Sequence, residues 1–168
     1  GTVDKQKLTA LREAGINRLS IGAQSFSYEQ LNKLGRIHDL QDTFSVFHGA
    51  RETGFDNVNL DLMFGLPGQS INQALSDLDA AIKLAPEHIS WYQLTIEPNT
   101  HFYRSPPQLP EDDLIGDMHQ AGIQRLQQAG YYQYEVSAFA RTGKRSLHNL
   151  NYWRYGDYLA VGAGAHGK

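Results

Sequence analysis

Three short apolar runs, Ile16 to Ala23, Asn57 to Phe64 and His88 to Thr95, alternate with stretches whose apolar residues recur at three- and four-residue steps. No other property of the chain narrows its fold as much. Strands separated by segments of helix length pair in parallel through right-handed crossovers, which gives an α/β class. The spacing suits a segment of a parallel, TIM-like β/α partial barrel better than a compact doubly wound sheet. No glycine-rich dinucleotide loop opens any of the helices.

Local signals mark the elements. Leu8 and Leu11 predict a helix over Asp4 to Ala14, stopped by Gly15. Ser27 and Gln30 form a capping-box pattern for a short helix ending at Gly35, and Asp39 or Asp42 caps another that runs to Thr53. Ser70 and Gln73 repeat the box ahead of Ile71, Ala74, Leu75, Leu78 and Ile82, a clear amphipathic face that ends at Ala85-Pro86. The proline-rich stretch Ser105 to Pro110 then changes the character of the chain. Beyond it a helix from Glu111 to Ala129, a strand from Tyr131 to Ala140, a polar turn and a glycine-rich run are expected. The reading is a barrel segment over 1–104 and an α+β extension over 105–168.

Composition excludes several function classes. The net charge of -3 and scattered basic residues argue against nucleic acid as a partner. The tightest basic group, Arg141, Lys144 and Arg145, reads as a solvated loop. No apolar stretch is long enough to span a bilayer, so a soluble, cytoplasmic protein is expected, with peripheral membrane association left open. The absence of cysteine removes disulfides, thiolate nucleophiles and cysteine-held iron or zinc within these residues.

Two constellations carry chemistry. In repeating strand-helix folds, ligands gather outside the carboxyl ends of the strands, where Gln24 and Asp61 are expected, with Arg36 and Thr95 nearby. A carboxylate there accepts hydrogen bonds from a ribose diol, a guanidinium forks onto a carboxylate, and glutamine donates and accepts together. That set suits a nucleoside joined to an amino acid; the bland alternative is an Arg36–Asp61 salt bridge between loops. The second is His148-Asn149-Leu150-Asn151-Tyr152-Trp153, in which a neutral imidazole can ligate haem iron and the aromatics can cover a flat ligand. Its alternative is a packed turn with His148 in a simple hydrogen bond. His38, beside Arg36, serves either a site or the loop, and Glu97 reads as a solvated carboxylate. Gly65-Leu66-Pro67-Gly68 is a sharp turn rather than a phosphate motif.

Together, Asn17 to Phe26, Gly35-Arg36-Ile37-His38, Asn59 to Gln69 and Gly162-Ala163-Gly164-Ala165-His166 resemble the radical SAM family built around oxygen-independent coproporphyrinogen III dehydrogenase. Trp91 to Thr100 and the His148 motif look like its haem-chaperone branch. The resemblance implies a radical SAM core in which Arg36 pairs with the methionine carboxylate of S-adenosylmethionine. Gln24 and Asp61 would bind the ribose, Thr95 would sit beside adenine, and His148 would be an axial haem ligand. It implies a [4Fe-4S] cluster too, but the family's three-cysteine motif is missing, as are its Gly-Gly-Thr-Pro-type turn and glutamate strand. In the family these lie upstream, so the chain is expected to be an internal piece containing the second half of the barrel, inactive alone and with the Ile16 to Ala23 strand left as an open edge. The expected whole is a haem chaperone serving an unidentified haem-accepting protein. The alternatives are a coproporphyrinogen III dehydrogenase of porphyrin biosynthesis and a cluster-free nucleoside-binding half-barrel.

Overall fold

The structure is a computed structural model that describes residues 5–36, 40–165 and 167. The sequence-based readings at His38 and His166 lie outside them. Helix α1 (Lys5–Glu13) leads to strand β1 (Leu19–Gln24), short helix α2 (Tyr28–Lys33), helix α3 (Leu40–Glu52) and strand β2 (Val58–Phe64). Helix α4 (Ile71–Leu84), strand β3 (His88–Gln93) and a single turn of helix, α5 (His101–Arg104), follow. Helix α6 (Asp112–Gln128), strands β4 (Tyr132–Gln133) and β5 (Ala138–Ala140), and helix α7 (Leu147–Trp153) complete the order.

The five strands form one sheet in the order β1-β2-β3-β5-β4. β1, β2 and β3 run parallel, as the strand-helix alternation requires, and β5 returns antiparallel to β3. Val58, Leu60, Leu62 and Phe64 alternate onto the face covered by helices, where they are buried with Ala74, Leu78 and Ala81 of α4. Asn59, Asp61 and Met63 point to the other face, which is polar.

α4 forms where its signals place it. Ser70 accepts from Gln73 N, the Gln73 side chain answers to the Ser70 backbone, and Ala85 turns left-handed at φ 53 ahead of Pro86. The box at α2 is half made. Ser27 accepts from Gln30 N, but the Gln30 amide is fully buried and finds no partner among the described residues. Buried polar groups without partners are costly, so α2 starts under a penalty that its pattern did not reveal.

Two expectations need correction. The single strand over Tyr131 to Ala140 is two short strands paired antiparallel, because the chain turns at Glu135, whose carboxylate accepts from Ser137 N and Oγ. The packed turn weighed as the alternative at His148 to Trp153 is a helix, capped by Ser146 Oγ accepting from Asn149 N. Its aromatics bury little: Tyr152 is 56% and Trp153 52% exposed.

Candidate functional site

Strand register assembles the polar face in rows. Ser20 pairs with Asn59, and Asn59 with His88; one step on, Gly22 lies beside Asp61 and Asp61 beside Ser90. Asp61 is therefore the fourth of seven residues in β2, mid-strand rather than at the carboxyl end where the sequence pattern put it. Its side chain is half-buried. Ser20 Oγ donates to Oδ2 at 2.8 Å and Asn59 Nδ2 to Oδ1 at 2.7 Å. Four lone-pair directions on a carboxylate leave acceptor capacity for a ligand.

Gln24 does end β1. Ser25 N donates to Ala23 O at 2.8 Å, closing a three-residue turn around Gln24 at φ 65, an uncommon conformation for a residue with a Cβ. Several contacts hold it. Tyr92 OH donates to Gln24 Oε1 at 2.8 Å, while Ser25 Oγ and Phe26 N each donate to Asp77 at 2.7 Å. Burial raises the Asp77 carboxyl to about 6 against those two hydrogen bonds. A Cβ at Gly22 would stand 2.7 Å from Gln24 Nε2, so the glycine leaves the space that the amide occupies.

Arg36 is exposed and forms no ion pair with Asp61, so the alternative of a structural salt bridge does not hold. Arg36 and Asp61 do act on the same hydroxyl. Burial and then the Asp61 charge raise the Tyr92 pKa, and Arg36 opposes them. Thr95 is exposed just past β3, its Oγ1 3.5 Å from Gln93 O. Gln24, Asp61 and Tyr92 thus share one face, with Arg36 within electrostatic reach.

Sequence reasoning missed the buried polar chain beneath them. His88 Nδ1 is 2.6 Å from Asn59 Oδ1, and its Nε2 is 2.7 Å from Tyr134 OH. Asn59 Nδ2 donates to Ser20 Oγ at 2.6 Å, while Ser146 N and Asn149 Nδ2 each donate to Tyr134 OH at 3.2 Å. One tautomer satisfies all of these: Nδ1–H donates to Asn59 and Tyr134 donates to Nε2. The start of α7 is thereby wired to Asp61. Burial, and then the Arg18 charge, lower the His88 pKa to about 3, which keeps it neutral. The signal was available as polar residues at every second position of apolar strands: Ser20, Asn59 and Asp61, His88 and Ser90.

His148 is exposed on α7 and meets the Tyr158 ring edge-on at 4.8 Å. It lines a cavity of about 700 Å³ together with Arg18, Ser20, Asp61, Lys144 and Arg145. The basic group was expected to be solvated. The group does lie in a turn, with Arg145 exposed, but Arg141 Nε donates to Pro86 O and its guanidinium lies 4.7 Å over the Tyr131 ring, and Lys144 and Arg145 line the cavity. No cluster of three metal-ligating side chains occurs among the described residues.

The radical SAM superfamily model matches residues 1–81. The chain is 54% identical over all 168 residues to "Heme chaperone HemW" of Haemophilus influenzae, of which it covers 44%. It is equally identical to the protein of that name in Escherichia coli, again covering 44%. The solved structure of "Coproporphyrinogen III oxidase (HemN) from Escherichia coli", whose title calls it a radical SAM enzyme, superposes at TM-score 0.81 and 26% identity, over 98% of this chain and 42% of that one. Residues 1–81 carry a radical SAM domain, and the sheet matches that fold's partial barrel. Along its whole length it is HemW-like. It spans less than half the length of these curated relatives.

Proposed function

We propose that this chain supplies S-adenosylmethionine-binding strands and a haem-ligand helix to a radical SAM haem chaperone that delivers haem to an acceptor protein. The observation that carries the reading is the convergence of Gln24, Asp61 and Tyr92 on one sheet face, with the start of α7, the helix that carries His148, joined to that face through Ser146, Asn149, Tyr134 and His88. Asp61 keeps free lone pairs for ribose hydroxyls, and Gln24 keeps its Nε2 as a donor. Exposed Arg36 has its fork available for the methionine carboxylate, and Thr95 stands beside the adenine position. His148 offers an accessible imidazole for iron, with the half-exposed Tyr152 and Trp153 next to it.

The family implies a [4Fe-4S] cluster, which supplies one-electron chemistry to bound S-adenosylmethionine. The residues present do not fit that group: the chain has no cysteine, and the described residues offer no substitute cluster of ligands. A cytoplasmic setting belongs to the reading; among the described residues no helix is long and apolar enough to cross a membrane.

A second reading, oxygen-independent coproporphyrinogen III dehydrogenase, is favoured by the structural likeness to HemN. The higher identity to HemW, 54% against 26%, favours the chaperone. The test uses the full-length protein. Haem titration followed at the Soret band should show binding that weakens about tenfold or more in His148→Ala, the loss of a ligand bond worth at least 1.4 kcal/mol. Anaerobic incubation with coproporphyrinogen III, S-adenosylmethionine, a reductant for the cluster and an electron acceptor should give no protoporphyrinogen. Turnover to that product would sink the chaperone reading, and unchanged haem affinity in the variant would remove His148 from it.

A further inference from the structure

We infer that the cavity between the leading ends of β1 and β2 and the start of α7 is a carboxylate site anchored by Arg18, and that it takes the propionate arms of a tetrapyrrole. The inference rests on the haem reading above and assigns that reading a second point of attachment.

Arg18 directly precedes β1 and is partly buried. Its Nε is buried, and the guanidinium makes no hydrogen bond or ion pair with any described residue. A partly covered cation without a partner is unfavourable, and such groups normally persist only where something pairs with them. Burial lowers the Arg18 pKa, with Tyr134 and Asp61 offsetting only part of that effect. Asp61 is close enough to act on the Arg18 charge but forms no ion pair with it, its carboxylate being turned to Ser20 and Asn59. Asp56, the other acidic lining residue, is exposed.

The opposite wall has the same sign. Lys144 and Arg145 line the cavity and join no ion pair among the described residues; Lys144 Nζ reaches only the Asp56 carbonyl at 3.4 Å, and Arg145 lies 5.7 Å over the Tyr134 ring. Three cations therefore outnumber two carboxylates around one space. A guanidinium recognises carboxylates through its planar fork. The volume, about 700 Å³, falls in the range of small-molecule and cofactor sites. His148 lines this same cavity, so a ligand held by that imidazole has its acidic arms within the basic surround.

The full-length protein is titrated at the Soret band with haem and with haem dimethyl ester, whose propionates are capped and uncharged. Wild type should prefer the free acid by about 10- to 100-fold, the range that one or two charge-assisted hydrogen bonds support. Arg18→Gln should erase most of that preference by weakening only the free acid, and Arg18→Lys should restore part of it. The Soret position should not move in either variant, because His148 is intact.

Equal affinity of wild type for acid and ester overturns the inference, and does so without relying on any variant folding. A full preference surviving in a folded Arg18→Gln removes Arg18 as the anchor. Absence of any haem binding defeats the haem reading and this inference together. A His148→Ala protein that loses the ligated spectrum but keeps the acid-over-ester preference would separate the two, leaving the carboxylate site standing alone.

Discussion

His88 shows how one side chain can set the acid limit of this molecule. Both ring nitrogens are committed, to Asn59 and Tyr134, and the ring is fully buried. Its pKa falls from 6.5 to about 3. A depressed histidine binds fewer protons folded than unfolded, so it contributes fully above pH 6.5 and that contribution is lost as pH falls toward 3. The total is on the order of 5 kcal/mol. Asp77 works in the opposite sense. Its pKa rises to about 6, so its ionisation costs stability above that pH, and the cost is relieved as pH falls toward the unfolded value near 4. Between about pH 6 and 4 the two nearly offset each other; below about 4 only His88 continues. His88→Gln should be less stable than wild type by about 1–3 kcal/mol at pH 7.5, the price of two imperfectly replaced buried hydrogen bonds. That gap should narrow steadily in urea melts taken from pH 7 down to pH 4. A gap constant with pH would mean that the ring is not held neutral.

At the scale of elements, some helices were legible and others were not. α4 carries its whole description in sequence: cap, apolar period and proline stop are all local. The strands β1 to β3 were legible because apolar runs need helices to cover them, and Gln24 and Asp61 stood out as polar residues within those runs. The strand expected over Tyr131 to Ala140 failed because Tyr134 answers to His88 and to α7, partners that alternation does not register. α7 was hidden by its length, seven residues with a cap but little apolar period. Arg18 and Asp77 were invisible as site residues, since what marks them is burial imposed by distant segments. Gly122 makes the same point. Within α6 it looks like a helix-weakening residue, and in an isolated helix alanine would gain about 1 kcal/mol. In the fold it is the seat of the Trp91 indole, whose ring atoms would collide with any Cβ placed there. Trp91 is buried against Phe64, ring centroids 4.3 Å apart, and has little freedom to move away. Gly122→Ala should therefore destabilise by about 1–3 kcal/mol in equilibrium urea unfolding, an overpacking cost. Trp91→Leu in the same chain should recover part of the loss, because the two residues are in contact. A neutral or stabilising Gly122→Ala would show that α6 does not press on β3 as described.

At the scale of the molecule, the sheet is open at both edges among the described elements, and the β1 edge is the longer. β4 and β5 finish the far side with short antiparallel strands, whereas β1 is an outer strand of six residues among the described elements. Leu19 and Ile21 are only partly covered, and Ser20 and Gly22 are exposed. One side of the β1 backbone therefore offers unpaired N–H and C=O groups without the lysines, prolines or bulges that usually blunt an edge along most of its length. The register shift between Gly22 and Gln24 disturbs only its last step. The HemW relatives have more than twice this chain's length, as its 44% coverage of them shows, so they contain enough polypeptide to pair such an edge. The 168-residue chain produced alone should pair β1 with another copy or aggregate through it. Light scattering coupled to size exclusion, over a concentration series of roughly 5 to 200 µM chosen to bracket weak self-association, should report a mass that rises with concentration. The full-length protein under the same conditions should not show that β1-dependent rise. A sharp, concentration-independent melt of a monomeric 168-residue chain would mean that the edge is satisfied within the chain itself.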